Sequence, residues 1–281
     1  MKHLILIGAC YLDTILRQGP GSPERQDAKL RASSLEIRRG GNCANSLEVL
    51  QQLVDSRDGV CMYLVSPLPS ESSPATRRVK ASFGELSPVS FEHCLYREAH
   101  TEAASSYILR SEQTGSRTLV NYNDLPEMTV DEFEAVVRRF GASDDTWWHF
   151  EGRIPNTTLE CVRRLRDKLP NAQISVEVEK PGRDGLRELA AEADVVFYSR
   201  SWAEHKSTEA LQQLTPPVIS SVGAGDTFIA GMLYSLVCRS RSWPVSHGLG
   251  FAVHLATTKV QREGFQGLGA HVHDWLVGNA S

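Results

Sequence analysis

The chain has 281 residues, a hydrophobic share of 41% and a formal net charge of −4. That length holds one large domain, or one domain with a small appendage. The slight negative balance gives no general attraction to nucleic acid or to acidic membranes, and no apolar run approaches a membrane span.

In chain order, residues 3–8 (HLILIG) form an expected core strand rather than a signal peptide, since the apolar part is short and runs into polar sequence with no small-residue cleavage site. Residues 42–53 carry apolar positions 47, 50 and 53, which is helical spacing. A strand is expected at 60–65 (VCMYLV), a helix at 76–83, a helix at about 130–140 and a short strand at 147–150 (WWHF). Then follow a helix at 156–169, a strand at 174–178 (ISVEV), a helix at 186–192, a strand at 195–198 (VVFY) and a helix at 203–214. Strands alternating with helices indicate βαβ units and a parallel sheet. Two stretches break the rhythm. Residues 12–38 contain a polar Gly/Pro-rich run and then extended sequence, and residues 104–123 alternate around Gln113-Thr114-Gly115-Ser116, a hairpin signal. Together they could build a small sheet standing off the main layer as a lid.

The six cysteines, Cys10, Cys43, Cys61, Cys94, Cys161 and Cys238, are scattered with no C-x-x-C. They read as reduced, mostly buried thiols of a cytosolic protein. His271 and His273 lack the companions of a metal site and read as surface residues.

Chemistry concentrates in three places. In SSVGAGDTFIAGM (220–232), Gly223 and Gly225 let N–H groups turn toward an anion at the mouth of a helix, and Asp226 stands beside them as a candidate base. A plain helix start with Asp226 near the cap is the other reading. In RRGGNCANS (38–46), Gly40 and Gly41 permit close backbone approach, and Asn42 and Asn45 share one face of the first helical turn. Their amides suit a polyhydroxylated ligand, or Asn42 caps the helix. Asp13, following the first strand, could accept from two adjacent hydroxyls at the carboxyl edge of the sheet, or serve as a turn carboxylate.

An Asp after the first strand, a GGN-x-x-N turn, a hairpin and a late GAGD helix start occur here in that order, and the chain resembles the pfkB carbohydrate kinases of the ribokinase-like fold. RRGGNCANS, HFEGR (149–153), SVEVEKP (175–181) and GFQG (264–267) make it most similar to the ketohexokinase and fructokinase branch. The resemblance covers nearly the whole chain. It implies a single α/β domain over 1–281, a three-layer α/β/α arrangement with a mainly parallel sheet and a β-sheet lid built from about 12–38 and 98–123. It implies a cytoplasmic transferase that moves a phosphoryl group from ATP, with Mg2+, to a sugar hydroxyl, fructose being the expected ketohexose. Under it Asp226 is the catalytic base, and Gly223, Ala224 and Gly225 form the anion hole. Asp13, Gly41, Asn42 and Asn45 hold the sugar, Asp27 is an acidic lid residue reaching a partner subunit, and Arg117 lies near the ATP phosphates. A homodimer clasped through the lid is implied, with no nucleic-acid or membrane partner.

The chain departs from the family pattern in three respects. Ser220 and Ser221 stand where the signature has Asp and Thr; the segment before them, with TPPVI at 215–219, lacks the expected further strands; and the metal-linked N-x-x-E is replaced by Ser201-x-x-Glu204, which reads as a capping box. The sheet is therefore expected to be incomplete before residue 220, and a catalytically impaired sugar-binding pseudokinase or shortened gene product is the alternative function. A dinucleotide oxidoreductase is disfavoured, since IGACYLD lacks G-x-G-x-x-G.

Overall fold

The computed structural model describes residues 1–19, 31–114, 116–199 and 222–278. The first half comprises β1 (Lys2–Ile7), β2 (Tyr11–Gln18), β3 (Ala32–Gly40), α1 (Asn42–Leu50), β4 (Val60–Val65), β5 (Pro67–Pro69), α2 (Pro74–Ala81), β6 (Val89–Ser90), β7 (Leu95–Arg97), β8 (Ser105–Ser111) and β9 (Arg117–Tyr122). The second half comprises α3 (Val130–Val137), β10 (Asp145–Glu151), α4 (Pro155–Lys168), β11 (Gln173–Val178), α5 (Leu186–Ala191), β12 (Val195–Tyr198), α6 (Ala224–Cys238), α7 (Val245–Val260), α8 (Leu268–His271) and α9 (His273–Gly278).

Six strands form an all-parallel sheet in the order β12-β11-β10-β1-β4-β6. Parallel strands need crossovers, and the helices that supply them cover both faces. The central strand β1 is apolar on both sides. Leu4 and Leu6 enter one core with Leu47 of α1, Leu233 of α6 and Phe251 of α7. Ile5 and Ile7 enter a second with Phe133 of α3, Cys161 of α4 and Leu189 of α5. The result is the expected three-layer α/β/α arrangement.

A second sheet has the order β3-β2-β8-β9. The β2–β3 and β8–β9 pairs are antiparallel, and β2–β8 is parallel. It is assembled from the two stretches that broke the alternation. Asp13 lies within β2, opposite Arg38 on β3 and Ser106 on β8. The reading of Asp13 as a turn residue is therefore corrected: the chain leaves β1 at Gly8 and is already extended again by Tyr11. The short strands β5–β7 and the helices α7–α9 had no counterpart in the sequence reading. The helix expected at 203–214, TPPVI and both serines at 220 and 221 lie outside the described residues. Among the described residues the parallel sheet ends at β12.

The strand order fixes where a ligand can sit. From β1 the chain moves outward to β4 on one side and later returns to β10 on the other. Connections diverge at the carboxyl ends of β1 and β10, leaving a crevice at that switch point. Glycine also sets the approach of α6 to α7. A Cβ on Gly231 would stand 2.8 Å from Ala252 Cα and 3.0 Å from Ala252 Cβ. Gly231→Val should lower stability by about 1–3 kcal/mol. Gly250→Ala, where nothing lies within 4 Å, should raise it by about 0.4–1 kcal/mol. Urea midpoints of both variants at equal m-value check the pair.

Candidate active site

A cavity of about 520 Å³ opens at the switch point, lined by residues from β2, β3, α1, β8, β9, β10, the segment after β11, the start of α6 and α7. It brings together Asp13, Gly41, Asn42, Asn45, Arg117, Gly223, Gly225 and Asp226, all singled out from the sequence. Ala224, the first residue of α6, is not among its lining residues. Asp27 lies outside the described residues.

The turn at 40–41 is built for close approach. Gly41 has φ +102°, and a Cβ there would overlap the Ala9 carbonyl oxygen. A Cβ on Gly40 would come 2.6 Å from Asp13 Oδ2. Gly41 itself is the N-cap of α1, with no side-chain cap bond, so the reading of Asn42 as the helix cap is corrected. Asn42 instead points its amide across the cavity: Nδ2 lies 3.1 and 3.0 Å from the two Glu177 carboxylate oxygens. Asn45 is held between charges. Its Oδ1 accepts from Arg39 Nη1 at 2.9 Å, and its Nδ2 donates to Asp226 Oδ2 at 2.8 Å.

The start of α6 follows the same logic. Gly223 is the N-cap, at φ +79°, and no side chain caps the helix. Asp226 sits within the first turn, near the cap without capping it, and is 8% exposed. Helix geometry leaves the first N–H groups without intrahelical partners, and a Cβ on Gly225 would meet nothing within 4 Å. A Cβ on Gly223 would overlap the Phe265 ring, which gives the GFQG stretch a place: Phe265 presses on the turn. Lys259 of α7 is buried, with Nζ 5.4 Å from the Phe265 ring centroid and donating to the Arg262 carbonyl at 3.2 Å.

Four further residues of the cavity had no assigned role in the sequence reading. Glu151 ends β10 and accepts from the Ala9 N–H at 2.8 Å. Glu177 lies near the end of β11. Arg153 donates to Glu127 at 2.7 Å and bonds the Tyr11 hydroxyl, and Lys259 has been described. The usable signal was a carboxylate closing an apolar strand beside the switch point, as in WWHFE and ISVEV.

Burial controls the charge of these acids. It raises Asp226 to about 6, with the Asn45 amide opposing and the Glu179 charge adding. It raises Glu151 to about 7, with the Ala9 N–H and Arg153 opposing. It raises Glu177 to about 8, with the Asp226 charge adding and Asn42 opposing. Burial also raises Asp13, against the Ser106 hydroxyl, Arg38 and Arg39, and lowers Lys259. Such a site combines amides and carboxylates chemically able to bind hydroxyls, a buried base candidate and a helix start able to receive negative charge. Among the described residues, no group of three or more His, Cys, Asp or Glu is placed to hold a metal ion.

Comparisons with known proteins bear on the fold and the family. The solved ribokinase from Thermotoga maritima superposes with TM-score 0.72 at 13% identity, covering 98% of this chain and 99% of that one. Ribokinase from Arabidopsis thaliana, solved with ribose and ATP, superposes with TM-score 0.62 at 16% identity, covering 93% of each chain. The fold is ribokinase-like. The family model described as pfkB family carbohydrate kinase matches residues 201–270, and the chain is 27% identical to mouse ketohexokinase over 315 aligned positions, 95% of this chain and 99% of that protein. The chain is thus a relative of the pfkB carbohydrate kinases, phosphotransferases with an alcohol acceptor. That alignment is longer than the chain's own 281 residues, so the ketohexokinase carries positions with no counterpart here. All six cysteines are free, and among the described residues no helix is long and apolar enough to cross a membrane.

The three raised carboxyls hold protons in the folded chain that the unfolded chain has already lost. Their contribution to stability is complete below the unfolded values near 4 and is lost as pH rises through about 6, 7 and 8. The melting temperature of the ligand-free protein should therefore fall between pH 5 and pH 8 at fixed ionic strength. Glu177→Gln should flatten that fall and raise the melting temperature at pH 8 by several degrees; parallel curves for the two proteins would contradict the assignment.

Proposed function

We propose that this chain transfers the γ-phosphoryl group of ATP to a hydroxyl of a ketohexose, fructose being the first to test. One observation carries the reading: Asp226 is buried at the start of α6, in the same cavity as Asp13 and Asn42, with its carboxylate held by Asn45. The likeness to a ketohexokinase supports the sugar, and the neighbour solved with ribose and ATP supports the donor.

In this reading Asp13 and Asn42 bind hydroxyls of the sugar. Gly41 brings the backbone close enough to contact the sugar, and Asn45 reaches both the sugar and Asp226. Asp226, the most acidic of the three buried acids near the switch point, takes the proton of the attacking hydroxyl. The N–H groups at the Gly223-Ala224-Gly225 turn stabilise charge on the phosphoryl oxygens, with Arg117 on β9 and Lys259 on α7 adding positive field. Magnesium accompanies ATP through phosphate oxygens and water. Asp27 remains an assignment from resemblance. The small sheet is the lid. Its cavity face carries Asp13, Arg38, Ser106, Arg117 and Asn121, and its other face exposes Leu35, Tyr107, Leu109, Val120 and Tyr122. Tyr107 and Val120 are cross-strand partners there. An apolar sheet face of this kind suits a second copy of the chain, which supports a homodimer through the lid. Free thiols support a cytoplasmic location.

A second reading, a sugar-binding chain without phosphotransfer, is favoured by the alignment positions that have no counterpart here. ADP release from Mg-ATP separates the two. Fructose-dependent turnover should appear and fall about 100- to 10 000-fold in Asp226→Asn; fructose binding by calorimetry without ADP release would select the second reading. Light scattering should report a dimer that Tyr107→Asp with Val120→Asp converts to monomer, and a wild-type monomer would remove the lid interface.

A further inference from the structure

Arg39 is one of two adjacent arginines before the glycine turn, and strand alternation sends them opposite ways. Arg38 pairs across to Asp13 on the cavity side. Arg39 is 6% exposed and engaged on every side. Its Nε donates to Ser82 Oγ at 3.0 Å, its Nη1 to Asn45 Oδ1 at 2.9 Å and its Nη2 to Glu48, while the guanidinium stacks 4.4 Å from the Phe83 ring centroid. Ser82 is itself tied to the Val79 carbonyl at 2.7 Å.

A guanidinium can only donate. An Asn side chain has one accepting end and one donating end, and nothing intrinsic chooses between its two flips. With Arg39 in place, the accepting end must face the guanidinium. The donating end then faces Asp226, as its 2.8 Å contact records. The opposite flip would set donor against donor at Arg39 and acceptor against acceptor at an ionised Asp226. Remove Arg39 and that flip becomes available: Oδ1 could accept a proton held on Asp226, which stabilises the neutral acid.

We propose that Arg39 is a positioning residue that locks the Asn45 amide into donating to the Asp226 carboxylate. Its consequence for turnover rests on the reading of Asp226 as the base; the lock itself belongs to the ligand-free protein. Other charges also face Asp226. Glu179, after β11, opposes its ionisation, and Lys259 on α7 favours it. Glu177 on β11 and Glu151 on β10 are raised in turn by the Asp226 charge. Ser46 holds the Asp226 backbone carbonyl at 3.0 Å, so the main chain stays in place when the amide changes.

The test is a carbon-13 carboxyl titration of the whole protein by NMR, with the Asp226 signal assigned by its absence in Asp226→Asn. The wild-type midpoint should lie at about 6. Arg39→Met should move it upward by about one pH unit or more, and Arg39→Lys, which keeps a donor for Asn45, should move it less. Asn45→Leu should also raise it, and adding Arg39→Met to Asn45→Leu should then change little, because the two act as one unit. An unmoved midpoint in Arg39→Met overturns the proposal. So does a full further shift in the double variant, which would mean that Arg39 acts only as a distant charge. If Arg39→Met does not fold, Arg39→Lys with and without Asn45→Leu decides in the same way. The readout needs no turnover, so the proposal and the phosphotransfer reading can fail separately. If Asp226→Asn retains sugar-dependent ADP release, the base assignment falls while the titration still judges the lock. If Asp226→Asn is inactive and the midpoint is unmoved, the lock falls alone.

Discussion

The contact on which the rest of this structure depends is the passage of Gly41 against the carbonyl of Ala9. Residue 41 adopts a positive φ and leaves no room for a Cβ beside that oxygen. The carbonyl of Ala9 lies under the turn that ends β3 and begins α1, and the N–H of the same residue donates to Glu151 at the end of β10. One residue after the central strand therefore touches both halves of the switch point. It ties the small sheet to the parallel sheet and sets the height at which Asn42 and Asn45 enter the cavity. Gly40 adds the lateral constraint, since its missing side chain is the space occupied by the Asp13 carboxylate. Three cavity-lining positions, Asp13, Asn42 and Asn45, are thus consequences of two glycines and a carbonyl.

Electrostatics then differentiates acids that the fold crowds together. Asp226, Glu151 and Glu177 all line one cavity, and removal from water raises all three. Their donors differ, and Asp226 also starts from a lower intrinsic value than the two glutamates. Asp226 has the Asn45 amide together with the fields of Arg39 and Lys259. Glu151 has one backbone N–H and the field of Arg153. Glu177 has the Asn42 amide alone and feels the Asp226 charge against it. The resulting order, about 6, 7 and 8, leaves Asp226 the most ionised of the three at neutral pH. Environments that push the values of neighbouring carboxyls apart are how a site assigns different proton roles to the same chemical group.

Much of this was legible in the sequence, for identifiable reasons. Apolar strands alternating with helical spacing announced the parallel sheet, and two glycine-rich helix starts announced the cavity. Period and propensity are local, so they were readable. What was not readable depended on which sheet a strand joins. Asp13 looked like a turn residue because β1 and β2 are separated by only three residues and belong to different sheets. Glu151 and Glu177 sat in quoted motifs but acquired a role only once β10 and β11 were placed beside β1. Lys259 is a single cation in an otherwise apolar helix face, and nothing local says that the face points at a ligand site. Arg38 and Arg39 are adjacent and identical in kind. Alternation separates them, but only the pairing of β3 with β2 says which one lies beside Asp13.

The same pairing explains why the small sheet can serve two surfaces. Along β2, β3, β8 and β9, alternate residues belong to the cavity face, with Asp13, Arg38, Ser106 and Arg117, or to the outer face, with Leu35, Tyr107, Leu109 and Val120. Side chains alternate with period two, so a slip of one residue between strands would put leucine and tyrosine into a polar cavity and bare a carboxylate on the apolar face. The register is therefore strongly specified from both sides. It does shift once, between Arg17 and Gln18, at the end of β2 far from Asp13. The irregularity falls where neither the cavity nor the middle of the apolar face depends on it, and the pairing of Asp13 with Arg38 and Ser106 is left intact.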